Sequence, residues 1–188
     1  GDDKSRAWLP GRSAAAVLTT LQGAGVSSGG VVDIMSLLQE IEIAPTRVKE
    51  VLLWLCGAGA RGDEVLACLV KLRGLGATAS DIFLACRAIF LACHDAGGAI
   101  NAAQVLGAIE GLDVREAGVG SLLQALEGCC VAGASVGTVL EDLLGPMGVR
   151  GMSAVSAVQA LDAARVQGDD AVRCLQVLQR AGVEGAAV

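Results

Sequence analysis

The sequence predicts an all-α fold: an α-solenoid of ten short helices in a 17-residue repeat, paired into 34-residue hairpins and wound as a right-handed superhelix. Three observations carry this. Apolar residues recur in steps of seventeen at Leu9, Val26, Ile43, Ala60 and Ala77 and again from Val114 through Val131, Val149 (one residue late) and Val166, with two units between Ala77 and Val114, the second opening at Ile100. Within each unit the apolar positions are 6, 9, 10 and 13, the i, i+3, i+4, i+7 spacing of one helix face. The positions between stripes carry turn and cap residues. With 53% hydrophobic residues, about half of these positions would be apolar by chance; every one of them is.

The elements follow in order. Helix one opens after Pro10-Gly11-Arg12-Ser13, carries Ala14, Val17, Leu18 and Leu21, and stops at Gly25. Helix two is carried by Val31, Ile34, Met35 and Leu38. Helix three starts at Ala44-Pro45-Thr46-Arg47, where proline loses nothing because a first-turn N–H has no partner in the helix. It buries Val48, Val51, Leu52 and Leu55 and stops at Gly59. Helix four presents Val65, Cys68, Leu69 and Leu72 and stops at Gly76. Helix five opens at Thr78-Ala79-Ser80-Asp81, whose side-chain oxygens suit the free N–H groups of a first turn. Its stripe is Ile82, Ala85, Cys86 and Ile89. The unit then runs long, predicting a helix extended to near His94 and a Gly97-Gly98 turn, so that residues 89–100 are irregular. Such a break is a bend, a partner-contact loop or an insertion in a surface turn.

Helix six carries Val105, Ala108, Ile109 and Leu112. Helix seven carries Val119, Leu122, Leu123 and Leu126, and helix eight Val136, Val139, Leu140 and Leu143. Helix nine carries Ala154, Ala157, Val158 and Leu161. Helix ten opens at Gln167-Gly168-Asp169-Asp170 and carries Ala171, Cys174, Leu175 and Leu178. A helix of roughly three turns is unstable alone and must bury its stripe against neighbours. Short links then stack antiparallel hairpins. A single helical bundle with coincident spacing is the alternative. Residues 1–8 read as an extension or cap, 9–188 as one repeat domain, and 183–188 as a truncated eleventh unit. That makes Val183 and Val188 a candidate assembly end.

Composition excludes several classes. Charged residues are 18% and apolar content is high, which excludes a disordered chain. No apolar run reaches the ~18–20 residues that span a bilayer; Val51–Ala60 stops at Arg61, and Ile82–Cys93 is broken by Arg87. Gly1–Arg6 lacks the apolar core of a signal peptide. The net charge of −6 disfavours nucleic acid, which is held by clustered cations. Seven cysteines, an odd number without a secretory signal, favour a reducing compartment, cytoplasm or organelle interior.

Catalytic chemistry is not written in the chain. There is one histidine, no P-loop, and no paired carboxylate away from helix starts, where acids offset the helix dipole. No enzyme, cofactor or metal is expected. Cys86, Cys93 and His94 share a helix but lack a fourth ligand. The vicinal Cys129-Cys130 lacks an activating charge. Cys68, Cys86 and Cys174 fall on stripe positions and read as small core residues. The residues left as binding candidates are Trp54, beside the core stripe, the basic group Arg61, Lys71, Arg73 and Arg87, and His94 at the irregular unit. No aromatics interleave with the cations, so base stacking is poorly served.

The 34-residue helix–turn–helix period resembles tetratricopeptide repeats, although their Tyr-containing signature is missing. Val26-Ser27-Ser28-Gly29-Gly30-Val31-Val32-Asp33-Ile34 resembles the opening of the DNA-reading repeats of TAL effectors, without a recurring base-reading pair. Leu69 to Ile82 resembles a mitochondrial termination-factor repeat without its proline. The last two resemblances imply a helical-repeat nucleic-acid binder, which is the second reading. The leading expectation is a non-enzymatic scaffold that binds a protein partner or its own copies. A membrane-surface or lipid-binding helical protein, suggested by the apolarity, is the third.

Overall fold

The computed structural model describes residues 9, 11–95, 97, 99–115, 118–129, 136–145 and 147–181. Among these it is all-helical, with no strand and ten helices. They are α1 (Gly11–Gly23), α2 (Ser28–Glu40), α3 (Pro45–Gly57), α4 (Asp63–Gly74), α5 (Ala79–Asp95), α6 (Ala102–Gly111), α7 (Val119–Cys129), α8 (Val136–Leu144), α9 (Gly151–Ala163) and α10 (Asp169–Arg180). The long fifth helix ends one residue beyond His94, as the extended unit requires. Residues 1–8, 130–135 and 182–188 lie outside the described residues, and with them the extension, Cys130, Gly182, Val183 and Val188.

The turns explain the period. At the ends of α1, α2, α3, α4 and α9 one residue stands in the left-handed region: Gly25 (φ 75°), Glu42 (64°), Gly59 (91°), Gly76 (80°) and Arg165 (54°). Each donates to the carbonyl three residues back, and the next residue donates to the carbonyl five back, as in Gly25 to Gln22 (3.0 Å) and Val26 to Leu21 (3.0 Å). This double bond closes a helix C-terminus and brings an apolar residue after the turn onto the last helical turn. Those two residues are positions 1 and 13 of the repeat, here Val26 on Leu21, Ile43 on Leu38, Ala60 on Leu55 and Ala77 on Leu72. Position 1 is apolar because it staples the helix end behind it.

Helix starts are capped locally. Ser27 Oγ accepts from Gly30 N–H at 3.1 Å. Asn101 and Gln104 form a reciprocal capping box. Thr78 and Asp81 do the same: Thr78 N–H donates to Asp81 Oδ2 (2.9 Å) and Asp81 N–H to Thr78 Oγ1 (3.3 Å).

Packing runs by alternate helices. α1, α3, α5, α7 and α9 pack in sequence as one row, and α2, α4, α6, α8 and α10 as another; contacts among α3, α4, α5 and α6 join the rows. The stripe residues lie between them, and positions 6, 9, 10 and 13 of α3, α4 and α5 are all buried. Leu18 is the clearest departure, 43% exposed at a stripe position. Ala14, Val31, Met35, Ala108, Cys174 and Leu178 are only half-buried. All of these departures except Ala108 of α6 sit on α1, α2 or α10, each of which packs in its row against a single helix.

Turns also bond to turns. Gly62 N–H donates to Ala24 C=O (2.8 Å), Ala102 to Ala58 (2.9 Å), Gly151 to Leu112 (2.6 Å) and Gly168 to Cys129 (2.8 Å). In all four the donor is position 3 of a unit, and the acceptor lies two residues before a unit boundary, three units earlier. Gly62, Gly151 and Gly168 share φ of 54–56°, a conformation that glycine adopts without steric cost and that aims the N–H at the earlier turn.

Candidate interaction surface

The aromatic side chains of α3 and α5 converge on the seam between these two helices. Trp54 is half-buried and meets the Phe83 ring edge-on, centroids 5.0 Å apart and planes at 64°. The Arg47 guanidinium lies 4.3 Å from the centroid on the other contact of Phe83, a cation–π geometry. One turn pair further along, Phe90 lies against Gly57, whose missing Cβ makes room for the ring, and 5.9 Å from the His94 ring. Leu53, beside Trp54, is 43% exposed. The α3–α5 seam therefore carries two of the sequence candidates in separate contacts, Trp54 with Phe83 and Arg47, and His94 with Phe90. Arg47, Phe83 and Phe90 were not singled out from the sequence, although Phe83, Phe90 and His94 at i, i+7 and i+11 lie along one side of α5.

The cations are distributed rather than pooled. Arg87 leaves the seam and binds Glu127 of α7 at 2.5 Å. Arg73 of α4 binds Glu40 of α2 at 3.0 Å, and Lys71 approaches Glu110 of α6 at 3.9 Å. Arg61 donates to the carbonyls of Cys56 (2.6 Å) and Ala60 (3.0 Å), covering the C-terminal end of α3. Each of the four is thus matched to its own carboxylate or carbonyls. The pairs are about half exposed and link neighbouring helices of a row at up to about 1 kcal/mol each.

Four of the thiols are shielded by burial. Cys56, Cys68, Cys86 and Cys93 are buried, and burial pushes each thiol pKa up; at Cys86 the neighbouring Cys68 adds to the shift. At Cys56 the opposing pull of Arg61 is the smaller effect. A raised pKa removes the thiolate that nucleophilic or metal chemistry needs. Cys174 is half-buried, less enclosed than its stripe position predicts. Among the described residues no group of three or more His, Cys, Asp or Glu is placed to hold a metal ion, and no helix is long and apolar enough to cross a membrane.

Comparison of the chain with protein-family models, with curated proteins and with solved structures returned no match in any of the three.

Proposed function

We propose that this chain is a non-enzymatic helical-repeat scaffold, a right-handed α-solenoid that binds a protein partner or a further copy of itself. The observation that carries the reading is the recurrence of the same contacts at the same unit positions. Position 15 of one unit meets position 14 of the unit after next in Glu40–Arg73, Gly57–Phe90 and Gly128–Asp162. Position 5 meets position 7 of the unit after next in Arg47–Phe83 and Asp81–Gly120. Nearest-neighbour contacts repeated at a fixed step are how stacked repeats hold together and present extended surfaces. The aromatic seam with exposed Leu53 offers such a surface an apolar anchor. Because Arg61, Lys71, Arg73 and Arg87 are each matched by a carboxylate or carbonyls, the reading favours protein over nucleic acid.

Small-angle scattering together with light scattering tests this. A compact domain of this length has a radius of gyration of about 16 Å. An elongated solenoid exceeds it clearly, and a value at the compact figure overturns the architecture. Growth of mass with concentration identifies a second copy as the partner. Steeply salt-dependent binding to DNA or RNA overturns the protein-binding reading.

A further inference from the structure

The turn-to-turn hydrogen bond fails at one described place. By register, Ala79 N–H should donate to Ile41 C=O, since Ala79 is position 3 of its unit and Ile41 lies two residues before a boundary three units earlier. Among the described residues neither group finds a hydrogen-bond partner. Ala79 is no worse placed by its own cap than Ala102: both follow a capping box, and Ala102 makes its bond. The difference lies in the earlier turn. Wherever the bond forms, the residue before the acceptor is glycine: Gly23, Gly57, Gly111 and Gly128. Before Ile41 it is Glu40, whose side chain reaches to Arg73. One residue after Ile41, Glu42 occupies the left-handed position (φ 64°) that Gly25, Gly59 and Gly76 hold in the equivalent turns and that Asp113 (51°) and Arg165 (54°) also hold with a side chain. A side chain there costs stability, and such local costs concentrate at functional sites.

Glu40, Glu42 and the missing bond meet at one place. Glu40, Ile41, Glu42, Arg73, Thr78 and Ala79 line an open groove of about 450 Å³, within the range of ligand pockets. The groove presents a backbone acceptor, a backbone donor and the exposed Glu42 carboxylate, which makes no ion pair among the described residues. Arg73 is already neutralised by Glu40, and the Asp81 carboxylate is committed to the cap of α5.

We propose that this groove binds an extended peptide segment bearing a lysine or arginine. One peptide group of the segment accepts from Ala79 N–H and donates to Ile41 C=O, supplying the bond that the protein omits. The cationic side chain pairs with Glu42. The inference rests on the protein-binding reading and gives it a site and a ligand chemistry.

The test is amide chemical-shift mapping of the full labelled chain titrated with the capped heptapeptide Gly-Ala-Gly-Lys-Gly-Ala-Gly. Expected are shifts at Ala79 and at Ile41, Glu42 and Ile43. Replacing Lys by Glu, or N-methylating the central peptide bond, should weaken binding about tenfold, the scale of one lost charged or hydrogen-bonded contact. The double variant Glu40→Gly, Glu42→Gly restores the repeat pattern. It should close the groove, slow exchange of the Ala79 amide and abolish the shifts, and Glu42→Gln should erase only the preference for Lys over Glu. Absence of shifts at millimolar peptide, or shifts unchanged in the double variant, overturns the site. Shifts confined to the Trp54–Phe83 seam overturn this groove while leaving the scaffold reading intact. Displacement of the peptide by nucleic acid overturns both.

Discussion

Glycine acts here in two opposite ways, and single substitutions separate them. Gly62 sits at φ 54°, ψ −126°, a region that side chains avoid, and its N–H makes the bond to Ala24. Gly62→Ala should lower the unfolding free energy by about 1–3 kcal/mol, through strain and a weakened turn contact. Gly29 lies inside α2 with open space where a Cβ would go. Gly29→Ala should raise stability by about 0.5–1 kcal/mol, because alanine loses less backbone freedom in a helix. Urea unfolding of both variants checks the opposed signs, and a destabilised Gly29→Ala would contradict the open site. The sequence marks both residues alike, as glycine near a helix start, so only the backbone conformation tells them apart.

Asp142 gives a pH-dependent counterpart at the same scale. Its Oδ2 is buried without a hydrogen-bond partner among the described residues, and burial, with the nearby Glu141 charge, pushes its pKa up. The folded state therefore holds this proton at pH values where the unfolded chain has released it. Stability falls as pH rises from the ordinary Asp range through the raised pKa, and the full penalty persists above it. Asp142→Asn should be more stable than the parent at pH 7, with the gap closing as pH falls below the ordinary carboxylate range. An offset that is the same at pH 3 and pH 7 would place its cause in packing rather than charge.

At the scale of elements, what could be read from the sequence follows from what fixes each feature. The ten helices were legible because burying one helix face imposes its spacing on the chain, as Val48, Val51, Leu52 and Leu55 show. The long α5 was legible for the same reason, since Ile89, Ala92 and Cys93 continue its buried face. The left-handed ends at Glu42 and Arg165 were not, because glycine announces that conformation and these residues do not. The candidate surface was half legible. Trp54 and His94 stood out as singletons, but the partner of Trp54, Phe83, is brought to it by α3 packing on α5, a contact between alternate helices. The basic group looked like a patch because Arg61, Lys71, Arg73 and Arg87 are close in sequence. Their acceptors Glu40, Glu110 and Glu127 lie 33 to 40 residues away in the chain, where sequence proximity gives no hint of them.

The whole molecule poses the question of whether stability is shared or local. In a stacked array each helix is held by its neighbours, so stability approximates a sum of neighbour terms and a weakened end opens alone. In a single bundle with one core, every deep truncation lowers the protection of every helix. Leu175, 1% exposed on α10, separates the two. α10 packs in its row against α8, and its start is tied to the α7 end by Gly168 and Cys129. Leu175→Ala removes buried apolar volume worth about 2–5 kcal/mol. In the array, native-state hydrogen exchange should show protection lost in α10 and reduced in α8 and α9. The amides of α3 and α4 should exchange at the parent's rate, because these helices pack on neither α8 nor α10 and their bonds, such as Gly62 to Ala24 and Ala102 to Ala58, join them to earlier helices and to α6. A uniform loss across all helices would mean one cooperative core, and the 17-residue register would then describe sequence without governing energy. A graded loss would make each unit an independent site of adjustment. That independence is what allows one turn to carry Glu40 and Glu42 in place of glycine while the turns beyond it stay closed.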